Sequence, residues 1–372
     1  LTGQEGFEKS LEYQDKVAIP SPDTLKPHEV LVRLHAASLN YRELIIAGPV
    51  VSQTHADKIS HLFVLATPLT FCSQGINGPI TPPIVPGCDG AGVVEAVGSS
   101  VGEFKPGDRV ITTFYPLSAG DAGDDAQATV ADVPGMLGQG VDGTLRTHGV
   151  FAETSLVPAP ATLDWLQAAT LTCNWKTAWN TLFGLRGHEA GAGSWVLVQG
   201  TGGVAVATLQ LAVAAGINVV ATTSSDAKAE RLVALGAKGT VNYRATADWG
   251  AAARRLTPDG RGFDIVSDVG GNETLPQSFA AVRAGGIVTV IGAVGDSQAP
   301  PVPMFSVALY SCLLRGFLGG SRNQLRQVVK FIDEKKIKPV YDDQVFELAD
   351  AKGAYRHLKE KKHFAKVVIR ID

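Results

Sequence analysis

One stretch limits the fold of this chain more than any other: Trp195 to Thr223, WVLVQGTGGVAVATLQLAVAAGINVVATT. An apolar run (Trp195-Val196-Leu197-Val198) is followed by glycines, then by an Ala/Leu/Val-rich segment ending at Gly216, then by a second apolar run from Ile217. Unbroken apolar strands are buried on both faces, as in a parallel sheet. Strand, glycine turn, helix and strand within about 30 residues make a dinucleotide-binding unit. Gly200 makes the turn off the strand, Gly202 leaves room for a pyrophosphate at the backbone, and Ala205 allows close helix–strand packing. The helix start then offers free N–H groups to the phosphates.

The rest of the composition narrows the class. A chain of 372 residues exceeds one ordinary core, so two domains are expected. Hydrophobic residues at 45% and charged residues at 19% describe a globular protein, and a net charge of -3 gives no reason to expect nucleic acid or an anionic membrane as partner. Cys72, Cys88, Cys173 and Cys312 form no C-x-x-C pair, which argues against a disulfide framework or a zinc ribbon. No secretory signal or membrane-spanning run is read, so the expected location is cytoplasmic.

Around the central unit, Val30–Ala36 alternates as a half-buried strand, and Leu39–Leu44 begins a short helix closed by Gly48. Residues 50–76 have no clear period and read as a poorly ordered insertion, with a substrate lid, an added strand or translated intron as alternatives. Closely spaced glycines in Ile84–Gly98 mark close backbone approaches, residues 116–148 read as loop, and Leu163–Gly184 reads as helix. A helix is expected at Ala227–Leu235, followed by further strands at Gly239–Tyr243, Phe263–Asp268 and Gly286–Gly292. Such alternation predicts a doubly wound parallel sheet. From about residue 320 the pattern changes to amphipathic helices at Asn323–Lys336 and Ala349–Leu358 and a last strand at Ala365–Ile371.

Asn40-Tyr41-Arg42, Pro86-Gly87-Cys88-Asp89-Gly90-Ala91-Gly92, Lys105-Pro106-Gly107-Asp108-Arg109-Val110, Gly149-Val150-Phe151-Ala152-Glu153, the glycine loop and Lys366-Val367-Val368-Ile369 follow in an order and spacing that resemble the medium-chain dehydrogenase/reductase superfamily. The similarity is greatest to its zinc-independent, quinone oxidoreductase-like branch. The resemblance implies an α/β fold, with a GroES-like β-rich catalytic domain from residues 1–160 and 320–372. A doubly wound parallel Rossmann domain, residues 161–319, would be inserted between them, with the active site in the cleft. It further implies hydride transfer from NADPH to a quinone, an enone or another α,β-unsaturated carbonyl, without metal. A homodimer through the Rossmann sheet edge near Gly286–Pro303 is a family expectation. The alternatives are an alcohol dehydrogenase with a relict zinc site and a non-catalytic nucleotide-binding member of the fold.

The resemblance places candidate residues. Asn40, Tyr41, Arg42 and Thr177 are the catalytic candidates: Asn40 to orient substrate or nicotinamide, Tyr41 or Arg42 to donate to the substrate oxygen, and Thr177 against the nicotinamide. Tyr41 reads equally well as core, and Arg42 as the partner of Glu43 or as solvated. Asn174 and Lys176 belong to the same helix face, Lys176 alternatively as a solvated charge. Zinc-bearing relatives have a Cys at Asn40 and His-Glu at Cys88-Asp89, while Cys173 matches their third ligand, so two thiols and a carboxylate are what is left of a metal site. Two buried thiols acting as small hydrophobes are the favoured reading, and no metal is expected.

The glycine-loop candidates for the cofactor are Gly200, Thr201, Gly202, Gly203 and Val204. A NAD site wants a carboxylate at the end of the second strand. Here that place reads Thr222-Thr223-Ser224-Ser225 with Lys228, Tyr243 and Arg244 nearby, and the resemblance gives Ser224, Lys228 and Tyr243 to the phosphate of NADPH. The ordinary reading makes Lys228 and Arg244 exposed charges and Asp226 a helix N-cap. Backbone at Gly270, Gly292, Ala293, Val294, Phe317 and Gly319 is expected to hold the ribose and carboxamide, or otherwise to form simple turns.

Overall fold

Apolar alternation in the first half and unbroken apolar runs in the second fold into two different sheets. The computed structural model of the chain describes residues 1–49, 80–115, 123–292, 294, 295 and 298–372. The expected insertion at 50–76, and Ala293, lie outside them.

The first sheet, seven-stranded among the described residues, contains β1 (Glu29–Leu39), β2 (Asp89–Val97), β3 (Arg109–Thr112), β4 (His148–Ala152), β5 (Leu156–Pro158), β12 (Val345–Glu347) and β13 (Val367–Arg370). Its order is β12-β13-β1-β2-β3-β5, with β4 also paired to β1. The long β1 is its spine, antiparallel to β2, β4 and β13. This is a GroES-like unit, completed by the chain's last strand.

The second sheet, among the described residues, is six-stranded and parallel throughout: β6 (Trp195–Val198), β7 (Asn218–Thr223), β8 (Gly239–Asn242), β9 (Phe263–Asp268), β10 (Val282–Val290) and β11 (Leu313–Gly316), in the order β11-β10-β9-β6-β7-β8. The winding reverses between β6 and β9, and a crevice opens at the C-terminal ends of strands at such a switch point.

Six helices matter for the site: α1 (Tyr41–Ala47), α2 (Lys176–Phe183), α3 (Gly203–Ala214), α4 (Asp226–Ala234), α5 (Arg322–Lys335) and α6 (Ala351–Lys359). Helix α3 is apolar nearly all round and buries Ala205, Val206, Leu209 and Leu211, as a helix enclosed by its neighbours must. Each fully buried leucine contributes about 1.5–3 kcal/mol. One apolar cluster runs from Val196, Val198 and Leu209 through Trp175 and Ala178 to Ala36, Ala91 and Ile111, so the two sheets share a packed seam. Among the described residues no helix is long and apolar enough to cross a membrane.

Three elements differ from the sequence reading. The helix expected over 163–184 is broken into Trp165–Ala168, a five-residue π-helical turn at Leu171–Trp175, and α2. Strand β10 begins at Val282 rather than at Gly286, carried there by its pairing with β9. The short strands β11 and β12 exist through tertiary pairing, with too few residues to show a period of their own.

Candidate active site

The glycine loop leaves β6 at Gln199. Gly200 has φ +78°, open to glycine, and its N–H donates to the Thr222 carbonyl at 3.0 Å, tying loop to β7. Gly202 caps α3 without a side-chain hydrogen bond, and the first turn carries no acid, so the helix start presents bare N–H groups and positive dipole to an anion. A Cβ built on Gly202 meets no protein atom within 4 Å. Donors, dipole and open space fit a pyrophosphate.

Beside the loop, Gln199 Nε2 donates to Asp268 Oδ2 at 3.1 Å and to Ser278 Oγ at 2.7 Å, and Gln199 Oε1 accepts from the Val269 N–H at 3.1 Å. Asp268 Oδ1 also accepts from the Gly271 N–H and from Thr274 Oγ1, each at 2.9 Å. This buried network locks β6 to β9 at the switch point and sets Gly270 beside it. The Val294 N–H donates to the Val269 carbonyl at 3.0 Å, which holds Gly292 and Val294 on the same rim. Phe317 lies under the Arg315 guanidinium, 4.6 Å from it, and the Gly319 carbonyl accepts from Asn180 Nδ2 at 2.9 Å.

At the far end of the loop, Ser225 rather than Asp226 caps α4, while the Asp226 carboxylate accepts from Asn242 Nδ2 at 3.1 Å. Ser224 is half-buried and Tyr243 exposed. Lys228 is engaged: its ammonium donates to the carbonyls of His363 at 2.9 Å and Lys361 at 3.4 Å, and burial holds its pKa below the ordinary lysine value. Those carbonyls belong to the segment before β13, whose Ala365 N–H donates to the Thr201 carbonyl at 2.8 Å and whose Ala365 forms a bridge with Gly202. The end of the chain therefore lies directly on the glycine loop.

The catalytic candidates come from the other sheet. Asn40, at the junction of β1 and α1, is 7% exposed, with its N–H donating to Glu43 Oε2 at 2.7 Å. Its Oδ1 accepts from Lys366 Nζ at 2.7 Å, and its Nδ2 lies 3.5 Å from Cys88 Sγ. Lys366 also donates to Asp89 Oδ2 at 2.9 Å and to the Leu39 carbonyl at 2.8 Å. Asp89 further accepts from Ser38 Oγ at 3.0 Å and from the Cys88 thiol at 3.2 Å. Asn174, in the π-turn, presses on the loop: a Cβ on Gly203 would overlap its carboxamide nitrogen and come to 2.7 Å of Lys366 Cδ. Asn40, Lys366, Asn174 and the α3 start thus form one locus.

The other candidates are placed differently. The Thr177 hydroxyl donates to the Cys173 carbonyl at 2.7 Å, one turn back. Tyr41 is half out in solvent, its ring 5.8 Å from the Lys361 ammonium. Arg42 is not the free donor that the sequence suggested. It is buried, with Nη1 donating to Glu43 Oε1 and to the Leu137 carbonyl, both at 3.0 Å, and Nη2 to Gln139 Oε1 at 3.4 Å. The ordinary reading, a pair with Glu43, describes it. Burial raises the Glu43 pKa even beside this guanidinium. Lys176 is no solvated charge either. Fully buried, it donates to Thr113 Oγ1 at 2.8 Å and stacks on Phe114 at 4.0 Å, and burial pulls its pKa down to about 8. Burial pushes the Cys88 thiol well above its ordinary range and Cys173 up to about 12.

Lys366 is the residue that sequence reasoning passed over, quoted only as a family marker. The one available signal was a lysine directly before the apolar start of the last strand. The Gln199–Asp268–Ser278 network had no signal, since its members are 69 and 79 residues apart.

A Rossmann-type parallel sheet packed against a GroES-like sheet defines a two-sheet α/β fold. Residues 26–165 match the family model of the alcohol dehydrogenase GroES-like domain, and residues 203–334 that of zinc-binding dehydrogenase. Over 354 residues the chain is 38% identical to a zinc-type alcohol dehydrogenase-like protein of Schizosaccharomyces pombe, covering 94% of this chain and 93% of that protein. It is 28% identical to the quinone oxidoreductase of Rattus norvegicus, covering 82% of this chain and 78% of that one. The solved structure of an NAD-dependent alcohol dehydrogenase is 32% identical, with a TM-score of 0.76 over 96% of this chain and 95% of that one. The chain belongs to the medium-chain dehydrogenase/reductase superfamily of oxidoreductases.

Proposed function

We propose that this protein is an NADPH-dependent reductase of a quinone, an enone or another α,β-unsaturated carbonyl, working without catalytic zinc. Residues 1–160 and 320–372 would form its catalytic part and 161–319 its cofactor part. The observation that carries the reading is the Lys366 ammonium, seated on Asp89 and Asn40 where a metal-dependent relative needs a cation. Asp89 is already paired with Lys366, Cys88 is fully buried among apolar neighbours, and Asn40 is a neutral ligand at best. Among the described residues no three His, Cys, Asp or Glu side chains are grouped to hold a metal ion.

Bound on the glycine loop, NADPH supplies a hydride. The protein's part is to stabilise the charge that develops on the substrate oxygen, which needs donors preorganised in a site closed to water. Asn40 Nδ2 is such a donor. Tyr41 is the hydroxyl left to donate at the open side, once Arg42 is committed elsewhere. The Thr177 hydroxyl, its proton directed to the Cys173 carbonyl, would have its lone pairs left to meet the nicotinamide. The missing carboxylate at the end of β7, with Ser224, Lys228 and Tyr243 beside it, favours a 2′-phosphate.

Fluorescence titration tests this, with NADPH and NADH separately and metal content measured on the same sample. NADPH should bind at least about tenfold more tightly, with substoichiometric zinc. Lys228→Ala should weaken NADPH about tenfold or more and leave NADH unchanged, the loss expected for one charge-assisted phosphate contact. Equal binding of both cofactors would overturn the NADPH assignment. The names of the relatives keep a second reading in view: stoichiometric zinc together with alcohol oxidation would make this an alcohol dehydrogenase.

We propose self-association through the β11 edge of the Rossmann sheet. Met304, Phe305 and Leu309 stand just before it, 77%, 70% and 71% exposed, beside unpaired strand backbone. Sedimentation should show a dimer that Leu309→Asp converts to monomer; a monomeric wild type would sink the idea.

A further inference from the structure

We infer that Lys366 is a positioning residue: its ammonium fixes the Asn40 carboxamide so that the N–H₂, and not the oxygen, faces the substrate. The inference rests on the reading of Asn40 as the group beside the substrate oxygen.

An asparagine carboxamide turned by half a rotation keeps its shape and inverts its polarity. One orientation donates to a developing oxyanion; the other opposes it. At Asn40 the choice is made by a cation. Lys366 Nζ carries three protons and faces three acceptors: the Leu39 carbonyl at 2.8 Å, Asn40 Oδ1 at 2.7 Å and Asp89 Oδ2 at 2.9 Å. An ammonium has no lone pair, so the inverted amide would set N–H against N–H in a buried site. Burying such an unmatched polar contact is costly.

The cation cannot move to relieve it. Its side chain is 2% exposed and that of Asp89 0%. Asp89 is itself held by Ser38 Oγ and the Cys88 thiol. The lysine stem packs against Gly203 at the start of α3. The Asn40 backbone is pinned by its N–H donating to Glu43. What Nδ2 then meets at 3.5 Å is the Cys88 sulfur, a weak acceptor that leaves the amide protons available. A positive charge on Oδ1 also polarises the amide and strengthens its N–H donors.

Removing Lys366 alone strands the buried Asp89 charge and risks misfolding. The test therefore uses Lys366→Met paired with Asp89→Asn, alongside Lys366→Arg, which keeps the cation. The first readout needs neither cofactor nor turnover: the side-chain amide signal of Asn40 in protein labelled with ¹⁵N-asparagine, assigned by its loss in Asn40→Ala. It should move in the double variant and stay near its wild-type position in Lys366→Arg. The second is steady-state kinetics with NADPH and an enone. The double variant should lose about 100-fold in kcat, the penalty of a misplaced group, with KM for NADPH little changed, and Lys366→Arg should recover part of the loss. An unmoved Asn40 signal in a folded double variant overturns the inference, as does unchanged kcat. Should the wild type reduce no enone or quinone, the proposed function fails, and the amide signal still decides the role of Lys366.

Discussion

Replacing Arg322 with methionine should destabilise the protein by about 3 kcal/mol, at the low end for breaking a buried ion pair. Arg322 opens α5 and is nearly buried. Its Nη2 donates to Glu103 Oε2 at 2.7 Å, its Nη1 to Asp124 Oδ1 at 3.0 Å and its Nε to the Leu156 carbonyl at 2.9 Å. Arg326 Nε reaches Asp124 Oδ2 at 3.0 Å. One guanidinium thus holds α5 to β5 and to the loops at 103 and 124. Methionine would remove the hydrogen bond to the Leu156 carbonyl and leave Arg326 alone to hold both carboxylates, whose partial exposure to solvent tempers the loss. Acid dependence supplies a second readout. Burial acts to raise the Glu103 and Asp124 pKa values, but the arginine hydrogen bonds outweigh it and bring both below their ordinary 4.5 and 3.8. A depressed folded pKa adds stability that is complete above the ordinary value and lost as pH falls through the lower one. Wild type should therefore lose stability on acidification below about pH 4.5, and the variant should lose less. Chemical denaturation at neutral and acid pH checks both; parallel curves would show that Arg322 is not the anchor.

That arginine shows where the sequence stopped informing. A basic residue in the first turn of a helix opposes the dipole and hints at a tertiary partner, but Glu103 and Asp124 lie 219 and 198 residues away. The parallel sheet, by contrast, was legible because its signals are local: apolar runs of four to six residues bounded by glycines, each long enough to show its period. The helical character of 163–184 is legible in its sequence, but the π-turn inside it is not. Thr170 to Trp175 carries no proline or glycine, and a π-turn is made by packing rather than by propensity.

The candidate site divides in the same way. The glycine loop was readable because backbone geometry demands small residues at fixed spacing. Asn40 was readable through resemblance. The part of Arg42 was not, because a buried guanidinium and a substrate-binding one look alike until Leu137 and Gln139 are seen beside it. Lys366 escaped because its meaning depends on Asp89 and Asn40, one from each of two neighbouring strands' ends. Pairwise chemistry between distant segments is a property of the register that joins β13 to β1 and β1 to β2.

Gly202→Ala and Gly203→Ala, one residue apart, should fail in different ways. A methyl group on Gly202 touches no protein atom, so folding should be unaffected and the melting temperature unchanged. It would stand where a pyrophosphate meets the α3 N–H groups. Losing those charge-assisted hydrogen bonds is worth about 1.5–3 kcal/mol, a roughly 10- to 150-fold rise in Kd for NADPH. On Gly203 the same methyl overlaps the Asn174 carboxamide and crowds the Lys366 stem. Overpacking of that kind costs about 1–3 kcal/mol of stability. It should also push Asn174 and Lys366 away from the cleft, lowering turnover in addition to affinity. Pairing Gly203→Ala with Asn174→Ala returns the space and should restore most of the stability, a coupling readable as a double-mutant cycle. Calorimetric titration and thermal melts on wild type, Gly202→Ala, Gly203→Ala, Asn174→Ala and the double variant separate the effects. Gly202→Ala with unchanged NADPH affinity would remove the phosphate from the helix start. An additive cycle would mean that Gly203 and Asn174 do not meet as the geometry places them.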